Sequence, residues 1–123
     1  MDVERIRWDL PSDINRRMEE AYSVLEEHTH GKKGMQNIEN KYGKLERTFQ
    51  KFDAFFSQHP DDNVKRNYAF IAKPSLEIMQ ELRRIMPLME RPDREREKIL
   101  NLIAELWAYS KTLERVYVNL RVD

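Results

Sequence analysis

The sequence predicts an all-α protein, an antiparallel up-down-up-down four-helix bundle with a short N-terminal arm and a proline kink in its third helix. Apolar residues recur at alternating spacings of three and four through four stretches of the chain, the period at which a helix lays a stripe of side chains along one face. Between those stretches stand residues that end or start helices: Gly31 and Gly34, Pro60 and Asp61, Pro87 and Pro92. Composition agrees, because 36% of the residues are charged against a usual share of about a quarter, which suits long helices with solvated outer faces. At 123 residues the chain fits one domain, 1–123, and folding at this size removes roughly two-thirds of the unfolded surface from water.

Residues 1–11 alternate charge and bulk, and read as an arm that lays Trp8 and Leu10 over one end of the bundle. The Pro11-Ser12-Asp13 step opens the first helix, about 12–29: the serine hydroxyl suits the unpaired N–H groups of a helix start and the aspartate suits its positive dipole end. Ile14, Met18, Ala21, Leu25 and His28 form its seam. The segment from Thr29 to Gly34 reads as a loop.

The second helix, about 35–57, carries Met35, Ile38, Tyr42, Leu45, Phe49, Phe52 and Phe56 on its seam. Gly43 inside it costs about 1 kcal/mol against alanine, so a close contact or a bend is expected there. Ser57 to Asp61 end this helix, and Asp61, Asp62 or Asn63 caps the third, about 62–86. Pro74 lacks an N–H and crowds the preceding turn, which predicts a kink or break near Ala72 to Ser75. Pro87 and Pro92 bracket the last connection, and Asp93 begins the fourth helix, about 93–120.

The last two helices give the clearest pattern. Val64, Tyr68, Ile71, Ser75, Ile78, Leu82 and Ile85 fold about Pro92 onto Ile99, Ile103, Leu106, Ser110, Leu113, Tyr117 and Leu120. Ser75 meets Ser110 at one level. Small side chains there allow close approach, each hydroxyl bonding a carbonyl one turn back; the alternative is a cavity holding water or a small ligand. The mirror points between the other helices also fall on breakers, at Gly31 and Pro60, and one shared layer would be Leu25, Ile38, Leu82 and Ile103.

Composition also bounds function. Lysine plus arginine equals aspartate plus glutamate at 22 each, so binding to nucleic acid or acidic membranes must come from local charge segregation. There is no cysteine, which excludes disulfides, thiolate metal sites and cysteine nucleophiles. No leader opens the chain and no apolar run nears the roughly 20 residues of a membrane span, so a cytoplasmic protein is expected, with no membrane partner.

Few residues point to chemistry. Glu27 and His30 form half of the di-iron signature of helical bundles, which needs a second such pair and two more inward glutamates. No second pair is present, and no metal or cofactor is expected. Three glycines in all provide no phosphate-cradling loop, and no arrangement of serine, histidine and aspartate stands out. The string His30-Gly31-Lys32-Lys33-Gly34 resembles the H-x-x-K-G motif of histidine phosphotransfer domains, which are themselves four-helix bundles. In that family the histidine stands exposed in mid-helix, whereas His30 falls in the expected loop. An enzyme is not expected.

Two surface features remain. On the second helix, at about 100° per residue, Lys41, Lys44, Arg47 and Lys51 share one flank of the seam while Glu39, Glu46 and Asp53 share the other. Phe55 lies beside the basic flank, and Lys65, Arg66, Arg83 and Arg84 are candidates to extend it as a nucleic-acid backbone contact. On the fourth helix, apolar residues spread beyond the seam to Leu100, Leu102, Trp107, Tyr109, Val116 and Val118. This is wider than a bundle stripe needs, so either the arm covers it or Leu100, Trp107, Tyr109, Val116 and Val118 form a protein interface. The leading expectation is a non-enzymatic interaction module, a small subunit of a larger protein assembly or a homo-oligomer. The alternative is a nucleoprotein subunit that lines a nucleic-acid backbone with the basic strip, in a role similar to that of the small subunits of CRISPR effector complexes. The third is a histidine phosphotransfer or small-ligand-binding bundle.

Overall fold

The computed structural model describes residues 11–28, 31–86 and 92–121. They form four helices, α1 (Pro11–His28), α2 (Gly31–Phe56), α3 (Asp62–Ile85) and α4 (Pro92–Arg121), with no strand among the described residues. The all-α, four-helix class is therefore the expected one. The N-terminal arm with Trp8 and Leu10, His30, and the connection after α3 lie outside the described residues.

Most helix ends follow from local chemistry. Pro11 opens α1, where its fixed φ suits the first turn and its missing N–H loses nothing. Asp13 sits in that turn, 3.8 Å from Arg16. Of the three residues expected to cap α3, Asp61 does so: its carboxylate accepts from the N–H groups of Asn63 at 2.8 Å and Val64 at 3.3 Å. His59 Nδ1 in turn accepts the Asp61 N–H at 3.0 Å, fixing the turn between α2 and α3.

One local expectation is corrected. Residues Gly31 to Gly34 are the first turn of α2 and not a loop; two glycines cost about 1 kcal/mol each in a helix, and the well-packed remainder of this one absorbs that. Gly43 meets no close neighbour, because a Cβ there would touch only the Arg47 guanidinium at an ordinary 3.5 Å. Of the kink or break expected at Pro74, a break does not occur, because α3 stays helical on both sides of it. The carbonyl that loses its donor belongs to Phe70, a residue 74% exposed, so water can substitute for the missing N–H.

The α3 seam is buried along its whole length, from Val64 to Ile85. On α4, Ile99, Ile103, Leu106, Ser110 and Leu113 are buried, and on α2 so are Ile38, Leu45, Phe49, Phe52 and Phe56. Ser75 Oγ donates to the Ile71 carbonyl at 2.7 Å and Ser110 Oγ to the Trp107 carbonyl at 2.7 Å, the back-bonding expected of a close-packed polar layer.

α4 is the helix that the other three share, and α1 rests on it far more than on α2. This explains the breadth of its apolar face. Leu100 and Val116, expected as interface residues, are 1% and 0% exposed and belong to the core. A helix with neighbours on three sides buries a wider arc than a seam of two residues per turn. Among the described residues, no helix is long and apolar enough to cross a membrane.

Candidate functional site

α2 borders α4 on one side and α3 on the other, and the two borders differ in chemistry. On the α4 side, the Lys41 ammonium stands 3.4 Å from the centroid of the Trp107 ring and the Lys51 ammonium 4.8 Å from that of Tyr117. Both partners advance by ten residues between the two contacts, about 15 Å of helix, so α2 and α4 keep register along this seam. Lys111 brings another ammonium to 5.1 Å from the same Trp107 ring. A cation over a ring at such distances is attracted by about 0.5–1 kcal/mol at an exposed site.

Lys44 and Arg47 are exposed on the outer edge of the seam. Burial lowers the pKa of Lys41, and the positive charges of Lys44 and Lys111 lower it further. Among the described residues no carboxylate comes within ion-pair distance of Lys41, Lys44, Lys51 or Lys111. Beside Trp107 lies a cleft of about 260 Å³, lined by Asn37, Asn40, Lys41 and Lys44 of α2 and by Val24 and Leu25 of α1.

On the α3 side, a groove of about 730 Å³ runs between the two helices. Phe49, Tyr68, Ala69, Ala72, Leu76 and Met79 supply its apolar lining. Both of its carboxylates, Glu46 and Asp53, are engaged within the protein. Glu46 lies 3.2 Å from Arg83, whose Nε donates to the Tyr42 hydroxyl at 3.1 Å, and that hydroxyl donates to the Met79 carbonyl at 3.4 Å. The Tyr42 hydroxyl, and after it Arg83, hold the Glu46 carboxyl below the usual range against the opposing effect of burial. Asp53 accepts from the Tyr68 hydroxyl at 2.8 Å; burial first, and then this bond, push ionisation of that tyrosine well above its ordinary value. Lys65 and Lys73, on the α3 rim, meet no carboxylate among the described residues.

At the end of α2 the two borders converge in an aromatic cluster. Phe56 stacks on Tyr68 with centroids 5.0 Å apart and meets Phe55 edge-on at 5.1 Å, while Phe55 and Phe52 both pack on Tyr117. Phe55 is thus engaged inside the protein and is no open stacking platform. Arg83 and Arg84 do not extend the basic strip either, because Glu46 and Glu81 take them.

Of the α4 residues expected at an interface, Val118 is 51% exposed, and Trp107 and Tyr109 are half-buried. The Tyr109 hydroxyl donates to Glu105 at 3.1 Å, and burial, with the Glu105 charge, pushes its pKa up to about 12. The basic strip and Trp107, which the sequence presents as separate features, form one surface. Lys111 was missed, although it follows Trp107 by one turn on the same face; Leu76 was missed too, although it stands off the α3 seam with no polar reason to be there. Among the described residues, no three histidine, aspartate or glutamate side chains gather closely enough to hold a metal ion. Compared with protein families, curated proteins and solved structures, the chain matches none.

Proposed function

We propose that this chain is a non-enzymatic interaction module, a subunit of a protein assembly that receives an acidic amphipathic helix of a partner protein in the groove between α2 and α3. The observation that carries this reading is the groove itself: an apolar floor that ends in Leu76, 51% exposed, beside two rim lysines without a carboxylate partner among the described residues. Leucines of a docked helix at i, i+3, i+4 and i+7 fill such a floor. Lys65 and Lys73 stand eight residues apart, about 12 Å along α3, so they match two acidic residues seven or eight apart on the incoming helix. The groove is lined by three cations, Lys65, Lys73 and Arg83, against two carboxylates, Glu46 and Asp53, which leaves it net positive.

The test is an NMR titration with two synthetic amphipathic peptides of equal apolar face, one with a glutamate flank and one with a lysine flank. The acidic peptide is expected to shift the amides of Ala72, Leu76 and Met79, and Leu76→Asp to weaken it at least tenfold. Equal binding of both peptides, or shifts confined to α4, would overturn the proposal. Self-association through the same groove would appear in light scattering as a concentration-dependent dimer that Leu76→Asp dissolves, and would replace the foreign helix by a second copy.

A further inference from the structure

We propose that the seam between α2 and α4 binds the sugar–phosphate backbone of single-stranded nucleic acid, one phosphate seating among the ammonium groups of Lys41, Lys44 and Lys111 and the strand passing Arg47 toward Lys51. This site is independent of the α2–α3 groove and lies on the opposite side of α2.

The argument begins with an imbalance. The chain has equal numbers of acidic and basic residues, so a solvated helix face would be expected to interleave them as ion pairs, as Glu81 does with Arg84 and Lys98. Along the α2–α4 seam, four lysines have no such partner among the described residues. Two of them, Lys44 and Lys111, disfavour the charge on a third, Lys41. An anion placed between them converts that repulsion into attraction, and phosphate oxygens accept from several ammonium donors at once.

The rings determine where those charges stand. Trp107 and Tyr117 hold the Lys41 and Lys51 ammonium groups over their faces, restricting side chains that would otherwise lose rotamer freedom on binding. The resulting cations are spread over about 15 Å, a linear array that suits a polymer of phosphates better than one small anion.

The cleft beside Trp107 favours nucleic acid over an acidic peptide. Asn37 and Asn40 line it next to Lys41 and Lys44, and amide side chains both donate and accept, as the edges of bases require. Its volume of about 260 Å³ gives room for one planar base beside the held phosphate. An acidic peptide offers charges to the same lysines but does not place a flat heterocycle beside each of them, as a nucleic-acid strand does.

Fluorescence anisotropy with a labelled oligothymidylate of about 20 nucleotides, a few site sizes for a strand-tracking groove, tests the proposal. Binding is expected to weaken steeply between about 50 and about 200 mM salt. Lys44→Glu/Lys111→Glu, two exposed positions, is expected to lose at least tenfold at low salt and to flatten the logarithmic salt slope by about 1.4, the share of two phosphates on a single strand. Lys65→Glu/Lys73→Glu, on the groove side, is expected to change binding less than twofold. Melting by circular dichroism confirms that both variants fold, and a shift of the Trp107 indole N–H resonance on titration is expected in the parent protein without any variant. Three results would overturn the proposal: no binding at low salt, equal loss in the two variants, or equal affinity for polyglutamate of matching charge, which would make the seam a contact for acidic protein.

Discussion

Along its α3 border α2 has its carboxylates engaged already, Glu46 by Arg83 and Asp53 by a hydrogen bond from the Tyr68 hydroxyl, and leaves an apolar groove with two lysines on its α3 rim. Along its α4 border it meets aromatic rings, with ammonium groups that no carboxylate offsets among the described residues. One helix thus presents two kinds of surface. The first draws most of its energy from removing apolar area from water, at about 25 cal/mol per Å², and its two rim lysines add only a shallow dependence on salt. The second draws it from phosphate-like charge and fades as salt rises. Salt is therefore the variable that separates the two.

The largest predicted effect strikes both borders together. Phe56 is fully buried where they converge, and Phe56→Ala is expected to lose about 3–5 kcal/mol in urea denaturation. A loss below about 1 kcal/mol would show that the borders are not joined there. Tyr68→Phe touches the α3 border alone: it deprives Asp53 of its hydrogen bond, costs about 1 kcal/mol, and leaves oligonucleotide binding unchanged.

Gly43→Ala is expected to raise stability by about 0.5–1 kcal/mol, because the added methyl meets only the Arg47 guanidinium at 3.5 Å; destabilisation would reveal a backbone contact. Lys44→Gln removes one source of repulsion on Lys41 and is expected to stabilise the free protein by about 0.2–0.5 kcal/mol while weakening oligonucleotide binding. Opposite signs in stability and binding distinguish a charge kept for a ligand from one kept for the fold.

The smallest effect concerns pH. Arg84 and then Lys98 hold the half-buried Glu81 carboxyl at about 2, against an ordinary 4.5. A carboxyl depressed in the folded state stabilises above its unfolded pKa and loses that contribution as pH falls from about 4.5 toward about 2. The melting temperature of Glu81→Gln is expected to fall less than that of the parent over this window, and identical profiles would remove Glu81 from the acid response.

The architecture was legible because a period of three and four residues states which side chains face inward, and every seam position of α3 obeyed it. What periodicity cannot state is how many neighbours a helix has. Leu100 and Val116 looked surplus on a helix assumed to have a narrow stripe, and became core once three helices lay against it. The basic strip was legible as charge on one flank of α2, but its rings sit on another helix more than sixty residues later. Such a pairing depends on tertiary register. Gly31 to Gly34 misled for a different reason: glycine permits a turn without demanding one.

The shared role of α4 bears on synthesis at the ribosome, which delivers a chain from its N-terminus at about 5–20 residues per second. α1 leaves first, yet the helix it chiefly rests on is α4, the last of the four to be made. Through the intervening seconds the apolar stripes of α1, α2 and α3 await a common partner, and α1 stays without its main support. Assembly of this core is therefore a late, nearly simultaneous event, and a chain stalled before Leu106 would expose three sticky helices to chaperones and proteases at once.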